Sequence, residues 1–226
     1  MKRETHVDAP TRYSGDGNVR YTYRHFGRGN GVPALLIRHL NGEHDAWDPC
    51  MTGGLARGRP VVILDAVKMA ESGTDLLGST DAMAYYVAAF LRSIDLTQID
   101  LLGFGAGGHI AQAVTLHHPS LVRRLILIGT EPRASPTTEM EAPSAMYLPR
   151  HRRRNCIDPC PDLQAITQPT LVVNRKNDPM IPMSSGFDLA RRIPNAQLIV
   201  YPDPAGAPAM FIPKHFVDHA RLFLEA

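Results

Sequence analysis

A short glycine-rich segment could bind a ligand through its backbone amides. Residues 103–108 read Gly-Phe-Gly-Ala-Gly-Gly, between an aliphatic run at 99–102 and an amphipathic stretch at 109–117. This pattern predicts a strand that turns sharply into a helix at Gly105. The amide of Ala106 and those of the neighbouring glycines would then lie at the N-terminus of the helix, where they can bind an anion or a carbonyl oxygen.

Titratable side chains follow the ends of other aliphatic runs. His39 and His44 come after the run at 34–37, and Asp178 comes after the run at 171–173. Sites in α/β proteins gather at the carboxyl ends of strands, so either histidine could donate to a ligand oxygen or act as a general base. Alternatively, both histidines are partly exposed loop residues. Asp178 could serve a ligand, by positioning a cation or accepting a proton, or it could cap backbone amides near Met180, and these two roles stay open.

Aliphatic runs alternate with amphipathic stretches along the whole chain, which predicts an α/β domain with a mostly parallel sheet. An earlier pair of strands is expected around a turn at Gly15-Asp16-Gly17, with the first strand before Gly15 and the second at 19–25. The predicted buried strands are 34–37, 61–64, 99–102, 125–128, 171–173 and 198–200, and the predicted helices are 80–93, 109–117, 187–193 and 214–225. We expect one domain over residues 1–226, interrupted by a Pro-rich, charged insertion at about 131–168.

Four segments resemble the α/β-hydrolase superfamily. Residues 101–133, LLGFGAGGHIAQAVTLHHPSLVRRLILIGTEPR, are similar to its nucleophile elbow, following helix and next strand. Residues 37–42 and 45–49 resemble the oxyanion loop and the Trp-containing segment after it. Residues 170–182 resemble the strand whose end carries the triad acid, which maps to Asp178, and the final 201–219 resemble the histidine segment and last helix. The resemblance implies an α/β-hydrolase fold, with 131–168 as a reduced lid.

Two positions depart from the family pattern. The central residue of the elbow, where the family has its nucleophile, is Gly105, and the triad histidine is replaced by Ala207 in Gly206-Ala207-Pro208. Loss of a triad nucleophile or base removes several orders of magnitude in turnover. Serine-hydrolase activity is therefore not expected.

Two classes of function remain. The first is a non-hydrolytic enzyme, of the cyclase, isomerase or lyase type, that acts on a small organic substrate in the former hydrolase pocket, with a biosynthetic intermediate as one candidate. The second is a catalytically inactive pseudoenzyme that binds a small ligand or a partner protein. For the enzyme, the predicted catalytic residues are Asp178 and His39, and the predicted substrate-binding residues are Leu40, Asn41, Gly42, His44, Gly105, Ala106 and Ala207.

Composition excludes several other classes. Lys and Arg number 24 against 22 Asp and Glu, so no global field favours nucleic acid or a membrane surface, and no apolar run approaches the roughly 20 residues of a membrane span. Three cysteines without CxxC spacing, and the lack of HExxH, predict no metal site. We expect a soluble, cytoplasmic protein that needs no cofactor, with a second copy as a candidate cover for an open pocket.

Overall fold

The computed structural model describes residues 5–16, 19–38, 47–64, 80–132, 163–178, 180–202 and 215–226. Within these ranges an eight-stranded sheet is flanked by five α-helices. The strands are β1 (Thr11–Asp16), β2 (Val19–Phe26), β3 (Ala34–Ile37), β4 (Val61–Leu64), β5 (Ile99–Phe104), β6 (Val122–Ile128), β7 (Thr170–Arg175) and β8 (Ala196–Tyr201). The helices are α1 (Pro49–Leu55), α2 (Thr80–Ser93), α3 (Ala106–His117), α4 (Met183–Arg192) and α5 (His215–Glu225).

The sheet order is β1-β2-β4-β3-β5-β6-β7-β8. β2 pairs antiparallel with both β1 and β4, whereas every pairing from β4 to β8 is parallel. The carboxyl ends of β3 to β8 therefore meet at one edge of the sheet, which is where ligands bind in open α/β folds. The α/β-hydrolase architecture expected from the sequence is confirmed.

Helices cover both faces of the sheet, so its central strands are aliphatic on both sides. One face packs on α2, α3 and α4 through residues such as Phe90, Val114 and Leu189. The other face packs on α1 and α5 through residues such as Met51 and Phe216. No helix in the described ranges is long and apolar enough to cross a bilayer.

Three sequence-based boundaries need correction. Of the turn predicted at residues 15–17, Gly15 and Asp16 belong instead to β1, because they are its last residues and pair with Arg20 and Val19. The third helix begins at Ala106 rather than 109, and the fourth spans Met183–Arg192 rather than 187–193. Leu163 and Ile166, which fall within the insertion expected at about 131–168, are fully buried in the core. The central part of that insertion, 133–162, lies outside the described residues.

A buried ion network closes the opposite, amino-terminal edge of the sheet. The Asp100 carboxylate is fully buried and accepts hydrogen bonds from Arg59 Nη1, from Arg123 Nε at 2.9 Å and from Arg123 Nη2 at 2.7 Å. Arg123 Nη2 also donates to the carbonyl oxygen of Leu224 at 2.7 Å. The network thus joins β5 and β6 to the last turn of α5.

Candidate functional site

The turn between β5 and α3 has the geometry expected of a nucleophile elbow. Gly105 has φ 56° and ψ −124°, its amide donates to Ile128 O at 3.0 Å, and its carbonyl accepts from the amide of Gly108 at 2.9 Å. This conformation is strained for a residue with a Cβ and costs glycine nothing. A Cβ built on Gly105 would meet no described residue within 4 Å. The elbow backbone is therefore present, and the place of its side chain is open among the residues that the structure describes.

Neighbouring glycines let α3 approach the strands closely. A Cβ on Gly103 would lie 2.6 Å from Gly108 Cα, and one on Gly107 would lie 2.3 Å from Ile37 O. Because these contacts are with backbone atoms, only glycine fits without a shift of the helix. The first turn of α3 is thereby held against the carboxyl end of β3. The amides of Ala106 and Gly107, at the start of this turn, precede the first hydrogen bond of the helix, so they can serve a ligand oxygen.

Asp178 lies at the same edge, three residues after the end of β7. Its Oδ2 accepts from Arg175 Nε at 3.1 Å and Nη2 at 2.9 Å, and its Oδ1 accepts from the amides of Met180 at 2.9 Å and Ile181 at 3.1 Å. Both charged side chains are nearly buried, at 7% and 6% exposure. Of the two roles left open for Asp178, the capping of backbone amides near Met180 is observed.

The position of Asp178 in the cleft follows from β6. A Cβ built on Gly129, directly after that strand, would lie 3.9 Å from Asp178 Oδ2. β6 is the neighbour of β5, whose end carries Gly105. The structure therefore brings two of the predicted site residues, Gly105 and Asp178, to the ends of β5 and β7, which have only β6 between them.

Arg38 is a functional candidate that sequence reasoning missed. It directly follows β3, is 6% exposed, and its guanidinium carbon lies 5.8 Å from the Trp47 ring centre and 5.7 Å from that of Phe104. Phe104 precedes Gly105, and its ring meets the Trp47 ring edge-on at 6.2 Å. Burial lowers the pKa of Arg38 to about 10. The charged residue that interrupts the aliphatic run before His39 was the signal that could have identified it.

A tyrosine and a histidine form a contact at this edge that the sequence analysis also missed. Tyr201 is the last residue of β8, and its hydroxyl and His219 Nδ1 share a hydrogen bond of 2.6 Å. The two rings stack with their centres 5.8 Å apart. Burial raises the pKa of Tyr201 to about 12, so its hydroxyl is neutral near pH 7. Tyr201 is the register partner of Arg175, which places this pair beside the Arg175–Asp178 ion pair at the carboxyl edge.

The remaining predicted site residues lie outside the described part of the chain: His39, Leu40, Asn41, Gly42, His44 and Ala207. Ala106 is described and is the first residue of α3. Among the described residues, no three His, Cys, Asp or Glu side chains are grouped so as to hold a metal ion.

Comparison with known proteins identifies the family. The sequence model of the family described as "alpha/beta hydrolase fold" matches residues 33–159, more than half of the chain. The chain belongs to the α/β-hydrolase family. A 2-hydroxymuconate semialdehyde hydrolase of Pseudomonas putida is 26% identical, over 77% of this chain and 80% of its own length. An sn-1-specific diacylglycerol lipase, ABHD11 of Xenopus tropicalis, is 29% identical, over 48% of this chain and 34% of its own. These named relatives are hydrolases.

Solved structures share the fold over nearly the whole chain. An α/β-hydrolase fold protein from Chitinophaga pinensis superposes with a TM-score of 0.73 at 22% identity, and covers 98% of this chain and 97% of its own. A putative lipase from Acinetobacter baumannii has a TM-score of 0.78 at 18% identity, and the match covers 97% of this chain and 92% of the lipase. At such identities the likeness supports the fold alone.

Proposed function

We propose that this α/β-hydrolase family member is a non-hydrolytic enzyme that acts on a small organic substrate at the carboxyl ends of its strands. The observation that carries the proposal is Gly105. The elbow keeps the strained conformation that presents a nucleophile in this fold, yet glycine has no atom with which to form an acyl-enzyme. The named relatives are hydrolases, so this position marks the departure from their chemistry.

Charge stabilisation is the catalytic resource that remains without a nucleophile. The amides of the first turn of α3, including that of Ala106, can donate to an oxygen that becomes negative during a cyclisation, isomerisation or elimination. The buried cation of Arg38 lies against Phe104, next to the elbow, and adds a positive field in a site of low dielectric. Trp47 and Phe104 supply apolar walls for the carbon skeleton.

Proton transfer is assigned to His39, and a positioning role to Asp178. The carboxylate of Asp178 already accepts four hydrogen bonds, two from Arg175 and two from the amides of Met180 and Ile181, so its oxygens are occupied by the protein itself. We infer that it holds Arg175 and the loop at Met180 in place at the rim of the cleft. Contacts to the substrate are assigned to the residues predicted from sequence, Leu40, Asn41, Gly42, His44, Gly105, Ala106 and Ala207.

The saturated carboxylate of Asp178 also favours one alternative. A protein that binds a small ligand without converting it needs the elbow amides and the apolar walls but no free base. Such a protein would keep the cleft while Asp178 serves only the fold. The experiment must therefore separate turnover from binding.

The test compares the protein with Gly105→Ala and Gly105→Leu. Both variants carry the same strain at positive φ, about 1–2 kcal/mol, whereas only leucine extends far into the open space beside residue 105. Each protein is incubated in ¹⁸O-labelled water with a library of ketones, lactones, esters and unsaturated acids, and products are identified by mass spectrometry. From the parent and from Gly105→Ala we expect a product that contains no labelled carboxylate from a cleaved ester or lactone, and from Gly105→Leu we expect no product.

Three results would contradict the proposal. Cleavage of an ester or lactone into an acid whose new carboxylate carries ¹⁸O from water would mean hydrolysis, and covalent labelling by a fluorophosphonate probe would point the same way. Conversion by Gly105→Leu at the parent rate would mean that the reaction takes place elsewhere. Retention of a library compound in native mass spectrometry, without conversion of any compound, would establish the ligand-binding alternative.

A further inference from the structure

A cavity lies at the opposite end of the sheet from Gly105. Its volume is about 420 Å³, and the segment before β1, the start of β1 and the end of β2 line it. β2 runs antiparallel to β4, and Phe26 at its end is the register partner of Val61, the first residue of β4. The cavity thus lies beyond the amino-terminal ends of the parallel strands, and it shares no residue with the cleft at their carboxyl ends.

Positive charge dominates the lining of this cavity. Arg12 contributes a guanidinium from β1, Arg28 contributes another from the loop after β2, and Asp8 is the acidic residue among those that line it. His25 also lines the cavity, close enough to Arg12 to feel its charge. Burial and the positive charge of Arg12 lower the pKa of His25, so the imidazole is neutral near pH 7 while it lies in the field of the arginine.

This group of side chains suits a phosphate. Guanidinium groups present paired N–H donors that match the oxygens of a phosphate, and two arginines on different elements can hold it from two sides. The imidazole of His25 supplies a further donor, which can also take up a proton as negative charge approaches. Phe26, Ala9 and Pro10 give the same cavity an apolar wall, and its volume lies in the range of small-molecule sites.

We propose that this cavity binds the phosphate group of a small organic phosphate, held by Arg12, Arg28 and His25, with the organic part against Phe26. The site is separate from the cleft at Gly105 and does not depend on the function proposed for that cleft. Because it lies on the far side of the sheet, an occupant would act as an effector or an anchor rather than as a substrate at the elbow.

Calorimetric titration tests the proposal with phenyl phosphate, inorganic phosphate and phenol as probes. We expect phenyl phosphate to bind more tightly than either of the other two. Arg12→Gln and Arg28→Gln should each weaken its binding about tenfold or more, since each removes charge-assisted hydrogen bonds. Arg221→Gln is the matched control, because Arg221 pairs with Glu225 on α5 and lines no part of the cavity. Melting curves verify that each variant is folded.

NMR titration of the His25 imidazole gives a second readout. A bound dianion opposes the positive field of Arg12 and Arg28, so saturation with phenyl phosphate should raise the pKa of His25. The negative charge of Asp8 is present in the free and in the bound protein, so it does not account for this change. Equal affinity for phenyl phosphate and phenol, unchanged affinity in both arginine variants, or an unmoved pKa of His25 would overturn the proposal. Equal affinity for phenyl phosphate and inorganic phosphate would overturn the organic part and leave a site for the free ion.

Discussion

Replacement of Asp100 by alanine should destabilise the domain strongly. The carboxylate is fully buried and is the common acceptor of Arg59, which is also buried, and of Arg123, which is 30% exposed. Without it, the Arg59 guanidinium stays in the interior with its charge uncompensated, which costs about 3–5 kcal/mol. In a domain of this size each kcal/mol lowers Tm by roughly 2–4 °C, so we expect a fall of about 6–20 °C.

The measurement is urea unfolding of the variant beside a surface control. Asp188→Ala removes a carboxylate that pairs with Arg191 and Arg192 on the exposed side of α4, and such pairs contribute roughly 0–1 kcal/mol. The loss in Asp100→Ala should also persist at 1 M NaCl, because salt screens buried charges weakly. A variant of Asp100 that unfolds at the same urea concentration as the Asp188 control would refute the reasoning.

Two further predictions concern buried polar groups. Asn174 is 1% exposed, and neither atom of its side-chain amide has a hydrogen bond among the described residues. Asn174→Val should therefore raise the free energy of unfolding by about 1 kcal/mol, measured in urea, and a loss would mean that bound water satisfies the amide. Burial, assisted by neighbouring positive charges, lowers the pKa of His118, so the unfolded chain takes up its proton first and stability falls as pH drops below about 6.5. His118→Gln should flatten the decline of Tm between pH 8 and 5, and parallel curves for parent and variant would contradict this.

The fold was predictable because its strongest elements are local patterns. Each aliphatic run became a parallel strand, since burial on two faces requires near-continuous apolar sequence. α2 begins and ends at the predicted residues because its buried positions recur at helical spacing. α1 was missed because Gly53 and Gly54 are poor helix formers. It is stabilised instead by burial and by the Asp48 side chain, which accepts from the amide of Cys50 at 2.7 Å.

The candidate site was predictable only where one segment determines the geometry. Gly105 could be located because strand, turn and helix are contiguous there. The setting of Arg38 depends on Phe104, 66 residues away in the chain, and a pattern within one segment carries no information on such a contact. Asp178 was located at the end of its strand, but its ion pair with Arg175 was not predicted. Arg175 ends a buried strand, and the sequence does not say towards which side its side chain turns.

The bond from Arg123 to the Leu224 carbonyl joins residues 101 positions apart, and this has a consequence for synthesis on the ribosome. The chain emerges from its amino end, so Asp100 and both arginines leave the exit tunnel well before α5 does. Until that helix arrives, the face of the sheet that packs on Phe216 is open to water, and the three charges can remain hydrated. Docking of α5 is then the step that dehydrates them, and because a nascent chain grows at about 5–20 residues per second, the nearly complete domain would expose apolar surface to chaperones for several seconds.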